Sequence, residues 1–294
     1  MLKVSDMLHT PPLRLILSGG GIRGISYIGV FLELERVGFL KNVKEILGVS
    51  CGALFGFAYS IGYSPKELLE LVEVFDFRLI QNIDPEIMFR FFETYGMDDM
   101  ENLQKLLVLL LKNKGYEKEV TFMELYEKTN FTFRCFATNV NSCSIKEFSY
   151  KTTPTKSVCF GILSSMCLPG YFIPCREDNI LYVDGALINN YPIDVIDEKD
   201  LKDTLGFIFS NYNSSFESIQ NLLEYFNQLL NSYNSKISKN MDHTIIIPCD
   251  HIPIWNFAIT LEEKLELVNI GKKSIVDYFQ YKTIQKPIRR YSVS

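Results

Sequence analysis

No stretch of this sequence stays apolar long enough to cross a bilayer. The longest apolar runs, Leu106–Leu111 and Ala53–Ile61, fall far short of the roughly 20 residues a spanning helix needs, so any contact with a membrane is made from the side. Positive charge is in deficit as well. A formal net charge of −5 leaves no general basic face to displace counterions from a phosphate backbone, and nucleic acid is not an expected partner. The seven cysteines, at positions 51, 135, 143, 159, 167, 175 and 249, are odd in number, include no CxxC pair and have no His/Cys zinc spacing beside them. They read as reduced, small apolar residues, and neither a metal nor another cofactor is implied. The first residues lack an uninterrupted apolar core and a small-residue cleavage site, because Pro11 and Pro12 divide the apolar runs. A cytoplasmic location with peripheral association with membranes is therefore expected. No repeat, low-complexity tract or Pro/Gly-rich linker interrupts the 294 residues, so residues 1–294 are expected to form a single domain with a short basic tail at about 282–294.

What is present is an alternation of short apolar runs with longer helical patterns, which reads as an α/β fold. Strands are expected at Leu13–Leu17, Val43–Leu47, Thr132–Thr138, Ile145–Tyr150, Leu181–Val183, Leu205–Phe209 and Thr244–Ile247, most of them in one largely buried sheet. Helix starts carry their own chemistry. Ser64-Pro65-Lys66-Glu67 places a hydroxyl at the N-cap, proline at the first helical position and a carboxylate at the third. Thr121–Glu124 and Thr260–Glu263 repeat the pattern, the second opening a helix expected to reach about Tyr278. Between Ser215 and Asn240, apolar residues at helical spacing predict an amphipathic helix packed on the sheet or partly exposed.

Three motifs carry chemistry. In Leu15–Ile25 an apolar strand runs into Gly19, Gly20, Gly21, Arg23 and Gly24 and then into a helical pattern. Glycines there let the backbone aim several N–H groups at one point, and the helix start adds partial positive charge: an anion site. The same spacing also satisfies a dinucleotide fingerprint, and the loop alone does not name its anion. The next apolar run does not end in the acidic residue that would hold a ribose. It ends in Gly48-Val49-Ser50-Cys51-Gly52, a serine between glycines at a strand-to-helix junction, the setting of a nucleophile elbow. The third motif, Leu181–Ala186, is a strand closing on Asp184 and Gly185. Asp-Gly is a common turn pair, but a carboxylate at a strand end is also where open α/β sheets place their sites, and Ser50 needs a base.

These elements, in this order, resemble the patatin-like phospholipases over nearly the whole chain. Ser164–Phe172 and Asn189–Pro192 resemble the family's segments before and after the aspartate. Departures are Cys51 within the elbow and Met166-Cys167 where smaller residues are usual; they bear on pocket shape and leave the catalytic assignments in place. The resemblance implies a three-layer α/β sandwich with a mostly parallel central sheet flanked by helices. It implies a serine acyl hydrolase acting on fatty-acyl esters of membrane lipids, of phospholipase A or lysophospholipase type. In it Ser50 and Asp184 form a dyad, Gly19, Gly20, Gly21, Arg23 and Gly24 form the oxyanion hole, Gly48 and Gly52 shape the elbow, and Gly185 supports the acid loop.

The expected reaction is attack by the Ser50 hydroxyl on an ester carbonyl, with Asp184 taking the proton and loop N–H groups near Gly20–Arg23 holding the oxyanion. A carboxylate of ordinary pKa is a poor base at neutral pH, so the scheme requires Asp184 to be desolvated. Calcium is not expected to be needed, because the oxyanion donors are backbone groups and the sequence has no acidic calcium loop. Arg23 can hold the loop, bind a lipid phosphate or lie across its own helix turn. Lys282, Lys286, Arg289 and Arg290 form a basic end, a solvated tail or a contact for an anionic membrane. Chain order alone also admits a triad through His243 or His251, with the dyad preferred. The alternatives are a nucleotide-binding module on the glycine loop, which lacks the ribose acid and has Ile25 where a phosphate loop needs lysine, and a non-catalytic lipid-binding scaffold.

Overall fold

A computed structural model of the protein describes residues 11–82, 85–210 and 241–284. Its centre is one sheet of eight strands: β1 (Arg14–Leu17), β2 (Glu45–Val49), β3 (Thr132–Asn139), β4 (Ser144–Ser149), β5 (Cys175–Glu177), β6 (Ile180–Asp184), β7 (Thr204–Phe209) and β8 (Thr244–Ile247). The strands are hydrogen-bonded along the path β5-β6-β3-β2-β1-β7-β8, with β4 also paired to β3. β3, β2, β1, β7 and β8 are parallel, whereas β4 and β6 run antiparallel to β3 and β5 antiparallel to β6.

Alternation along the strands makes two cores. Leu15, Leu17 and Ile46 face the larger one, which is built with the helices Ser26–Arg36, Cys51–Ser60, Val158–Met166 and Leu261–Ile284. Ile16, Leu47 and Val49 face a smaller one closed by Tyr191, Ile193 and Ile196. The result is the expected three-layer α/β arrangement, thick on one side and covered on the other by the short Ala186–Asn189 helix and the 3-10 turns at Ile193–Val195 and Glu198–Asp203. Register at the N-terminal end of the sheet is reinforced by a charge ladder. Arg14 pairs with Glu45, Glu45 accepts from Arg134 Nη1 at 3.1 Å, and Arg134 Nη2 donates to Glu147 at 2.7 Å.

The three capping boxes form as the side chains dictate. In each, the Ser64, Thr121 or Thr260 hydroxyl accepts the third residue's N–H at 3.2 Å, and that residue's carboxylate accepts the cap N–H at 2.8 Å. Each contributes about 1 kcal/mol to its helix start. The last helix runs to Ile284, past the expected Tyr278. β2 is displaced by two residues from its expected place because Gly48 and Val49 stay in the ladder opposite Cys135 and Phe136. β5, three residues that include Arg176 and Glu177, was too short and too charged to read as a strand. The amphipathic segment 215–240 and most of the basic tail, 285–294, lie outside the described residues. No helix among the described residues is long and apolar enough to cross a membrane.

The Ser26–Arg36 and Leu261–Ile284 helices cross where glycine meets backbone. A Cβ on Gly29 would stand 1.8 Å from the Val268 carbonyl oxygen, and one on Gly271 would stand 2.0 Å from the Ser26 carbonyl oxygen. In an exposed helix interior, Gly→Ala would stabilise by roughly 0.5–1 kcal/mol. Here the sign reverses. Gly29→Ala and Gly271→Ala are each expected to lower stability by about 1–3 kcal/mol through overpacking, read by urea unfolding; unchanged or raised stability would show that the helices do not touch at this point.

Candidate active site

The site lies where two strands meet head to head. β2 and β6 both pair with β3, and both must use the same edge, because β4 occupies the other along residues 134–139. They run in opposite directions along that edge. β2 ends with Val49 opposite Phe136, and β6 ends with Asp184 opposite Ala137. The residues that leave the two strand ends, Ser50 and Asp184, are therefore brought together by register, although 134 positions separate them.

Ser50 turns sharply at the top of β2. Its backbone has φ 53° and ψ −124°, at the N-cap of the Cys51–Ser60 helix. A positive φ in a residue with a Cβ costs on the order of 1–3 kcal/mol and persists only where its surroundings enforce it. Here the Ser50 N–H donates to Ser165 Oγ at 2.9 Å, and the Ser50 carbonyl accepts from Ala53 and Leu54 at 2.9 and 3.2 Å. Gly48 and Gly52 make the elbow possible sterically, since a Cβ on either would stand 2.5 Å or less from backbone atoms of Ala53 or Leu17. The start of the Cys51–Ser60 helix directs partial positive charge toward the serine.

Asp184 is 3% exposed. Burial pushes its carboxyl up to about 6, opposed by the neighbouring Ser50 side chain and by the Ala186 N–H, which donates to Oδ1 at 2.8 Å. Its backbone is fixed on both sides: its N–H donates to the Cys167 carbonyl at 2.7 Å, and its carbonyl accepts from Thr138 Oγ1 at 3.0 Å. The Gly185 N–H points to the Ser165 carbonyl at 3.4 Å, and a Cβ on Gly185 would strike the Phe136 carbonyl oxygen at 2.3 Å. Residues 165–167, at the end of the Val158–Met166 helix, thus hold nucleophile candidate and carboxylate alike.

The glycine loop passes directly over Ser50, for a Cβ on Gly19 would stand 3.0 Å from the Ser50 Cβ. Most of its N–H groups already have acceptors. Gly19 donates to Asn190 Oδ1 at 2.8 Å, Ile22 to the Ile254 carbonyl at 3.0 Å and Arg23 to the Gly20 carbonyl at 3.2 Å. Gly20 and Gly21 remain the candidate anion donors. The Gly20 N–H lies beside the Cys51 sulfur, and Gly21 takes φ +57° with the Ile254 oxygen where a Cβ would be, so only glycine fits there. Two N–H groups suit one oxyanion and are few for a diphosphate, which weakens the nucleotide reading.

Arg23 stands beneath the loop, 4% exposed, its Nε donating to the Ile252 carbonyl at 2.7 Å and its Nη2 to the Asp250 carbonyl at 3.3 Å. These bonds fix the guanidinium against the 250–252 segment. Gly24 packs against Cys51, whose thiol is pushed up to about 12 by burial and so stays neutral beside the serine. His243 and His251 lie elsewhere. His243 precedes β8 at the N-terminal end of the parallel strands, about 13 Å along the strand from the edge where Ser50 sits. His251 is half exposed and pairs with Glu266 at 3.0 Å. Among the described residues no hydrogen bond joins either to Ser50 or Asp184. All seven cysteines are free thiols, and five of them are buried.

Two positioning residues escaped the sequence reading, Asn190 and Ser165. Asn190 clamps Gly19 from both sides, accepting its N–H and donating from Nδ2 to its carbonyl at 3.1 Å. Both lie in stretches singled out only by resemblance, and nothing in an isolated asparagine or serine reveals a contact across more than a hundred residues.

Comparison with known proteins accords with this geometry. The family model for patatin-like phospholipase matches residues 15–197. The chain is 31% identical over 181 residues to a probable lipid hydrolase, 463L, of Invertebrate iridescent virus 6, covering 62% of each protein. It is 28% identical over 277 residues to the uncharacterized protein R571 of Acanthamoeba polyphaga mimivirus, covering 89% of this chain and 92% of that one. In fold it is similar to the crystal structure of VipD from Legionella pneumophila, with TM-score 0.61 at 18% identity over 93% of this chain and 67% of that one. A serine elbow, a buried carboxylate and a glycine loop at one sheet edge, within a family match that spans more than half of the sequence, lead to one conclusion: the chain belongs to the patatin-like phospholipase family, a family of lipid hydrolases.

Proposed function

We propose that the protein is a serine acyl hydrolase that cleaves fatty-acyl esters of membrane phospholipids or lysophospholipids through Ser50 and Asp184. The observation that carries this reading is the junction of β2 and β6, which sets a strained serine beside a buried carboxylate whose pKa stands at about 6. The Ser50 hydroxyl attacks the acyl carbonyl and gives its proton to Asp184, which passes it to the departing alcohol. Water then attacks the acyl-enzyme with Asp184 again as base. The Gly20 and Gly21 N–H groups hold the oxyanion, where the loss of one donor costs on the order of 2.7–4 kcal/mol of barrier in comparable hydrolases. We take the whole chain as one such domain, since β7 and β8, beyond the family match, complete the same sheet beside β1.

The reading is tested by incubating wild-type and Ser50→Ala protein with a panel of lipid classes in EDTA and identifying the released fatty acids by mass spectrometry. Release is expected from wild type alone and without calcium, because the oxyanion donors are backbone groups. Equal release from both proteins would remove Ser50 from the reaction, and a requirement for calcium would point to a metal site outside this scheme.

The carboxylate sets the pH dependence. As base, Asp184 must be ionised, so kcat/KM is expected to rise with pH, level off above about 6 and fall as acid protonates it. Stability moves the other way. A carboxyl whose pKa is higher in the folded than in the unfolded state holds its proton better when folded, so between about pH 4 and 6 its contribution to stability shrinks as the pH rises. Asp184→Asn should therefore lower turnover by roughly 10²–10⁴-fold and flatten the acid limb. The same variant should gain about 1–3 kcal/mol at neutral pH relative to wild type in chemical unfolding; an unaltered pH profile in a folded Asp184→Asn protein would exclude this base.

His243 and His251 supply the competing base. With His243 at the opposite end of the sheet and His251 on Glu266, His243→Ala and His251→Ala are expected to stay within a few-fold of wild-type turnover. A loss on the order of 10³-fold in either folded variant would assign the proton transfer to that histidine.

A further inference from the structure

Exposed apolar side chains are concentrated in one part of this chain. Of the twelve large ones that stand exposed among the described residues, five, Val74, Leu79, Phe89, Phe92 and Tyr95, fall between positions 74 and 95. Phe89 and Phe92 are 91% and 89% exposed. A scattered exposed leucine is ordinary, but two phenyl rings standing almost wholly in water with three apolar neighbours in the same segment mark a surface that meets an apolar partner.

The described residues of that segment, 74–82 and 85–95, form a strap fastened to residues 171–173. Gln81 Nε2 donates to Tyr171 Oη at 2.8 Å, and the Met97 and Asp98 N–H groups donate to the Tyr171 carbonyl at 2.8 and 3.1 Å. Asp98, fully buried, accepts the N–H of Asn82 at 2.5 Å and of Met100 at 2.8 Å, while its carbonyl accepts Ile173 N–H at 2.8 Å. The strap is thereby joined to residues 171–173, which follow the 165–167 turn that fixes Ser50 and Asp184. From Tyr171 the path continues across a 6.4 Å ring contact to Trp255, the neighbour of Ile254 on which Gly21 rests.

Charge selects the kind of partner. Exposed arginines in the strap are matched by their own neighbours, Arg78 by Asp76 at 2.7 Å and Arg90 by Glu93 at 3.1 Å. Among the described residues of 74–95, those two arginines stand against three acids, Asp76, Glu86 and Glu93. An anionic membrane needs surplus cations, which this segment lacks. A zwitterionic phospholipid surface needs none, and buried apolar area suffices. We propose that the 74–95 strap, through Phe89 and Phe92, docks the protein on zwitterionic phospholipid bilayers and so brings the glycine loop and Ser50 to the lipid surface; the hydrolysis that follows docking rests on the function proposed above.

Docking is measured with the Ser50→Ala protein, which keeps the vesicles intact, by co-sedimentation with phosphatidylcholine vesicles. Phe89→Ser/Phe92→Ser is expected to weaken partitioning by roughly tenfold to a hundredfold, while Ile246→Thr, an exposed apolar residue on edge strand β8, leaves it unchanged. With Ser50 intact, the double variant should lose activity on phosphatidylcholine vesicles by a similar factor and keep its turnover of a water-soluble short-chain ester. Unchanged partitioning of the double variant overturns the proposal. So does partitioning that requires anionic phosphatidylglycerol, or sedimentation velocity showing that the two rings join two copies of the chain. If wild type hydrolyses no lipid while vesicle binding still depends on the rings, the catalytic reading fails and the docking surface stands.

Discussion

A single edge of β3 organises the site. It offers one row of hydrogen-bonding groups, and β2 and β6 share it end to end, one parallel and one antiparallel. Because each strand stops where the other does, the backbone between Phe136 and Ala137 fixes how far Ser50 stands from Asp184. A slip of one residue in either ladder would carry a side chain to the other face of the sheet and pull the pair apart. Accuracy at this junction depends on the rest of the sheet, including the Arg14–Glu45–Arg134–Glu147 ladder that reinforces register at the far end of the strands.

The junction is unfavourable in isolation. Ser50 sits at positive φ, Asp184 is a carboxyl removed from water, and Gly20 and Gly21 leave N–H groups without a backbone acceptor among the described residues. The surroundings hold each in place with short polar contacts. Ser165 fixes the Ser50 N–H, Cys167 and Thr138 fix the Asp184 backbone, Asn190 brackets Gly19, and Arg23 ties the loop to the carbonyls of Asp250 and Ile252. The pattern is that of a preorganised site, in which destabilised groups stay ready because rigid neighbours leave them no alternative.

Rigid and exposed parts are divided accordingly. The larger core, with the Ser26–Arg36 and Leu261–Ile284 helices locked at Gly29 and Gly271, carries the strand ends and the loop. Five of the twelve large apolar side chains that stand exposed among the described residues fall between positions 74 and 95.

The amino-acid sequence by itself determined the α/β alternation, seven of the eight strands, the three capping boxes, the elbow and the glycine loop. Each of these is written in local chemistry: a period of two or four, a hydroxyl three residues before a carboxylate, a glycine where a side chain would collide. Local chemistry could not reveal β5, whose three residues carry two charges, nor place the end of β2, where Gly48 stays in the ladder because Cys135 lies opposite. It left Arg23 between three roles and both histidines eligible as bases, since their partners lie far off in sequence. Their surroundings are set by the tertiary structure. It buried Arg23 against Ile252, set His243 at the N-terminal end of the parallel strands, and gave Asn190 and Ser165 their contacts with Gly19 and Ser50. It also raised the Asp184 carboxyl to about 6. That shift comes from the exclusion of water by residues distant in the chain, a property of the packed whole that no short stretch of sequence contains.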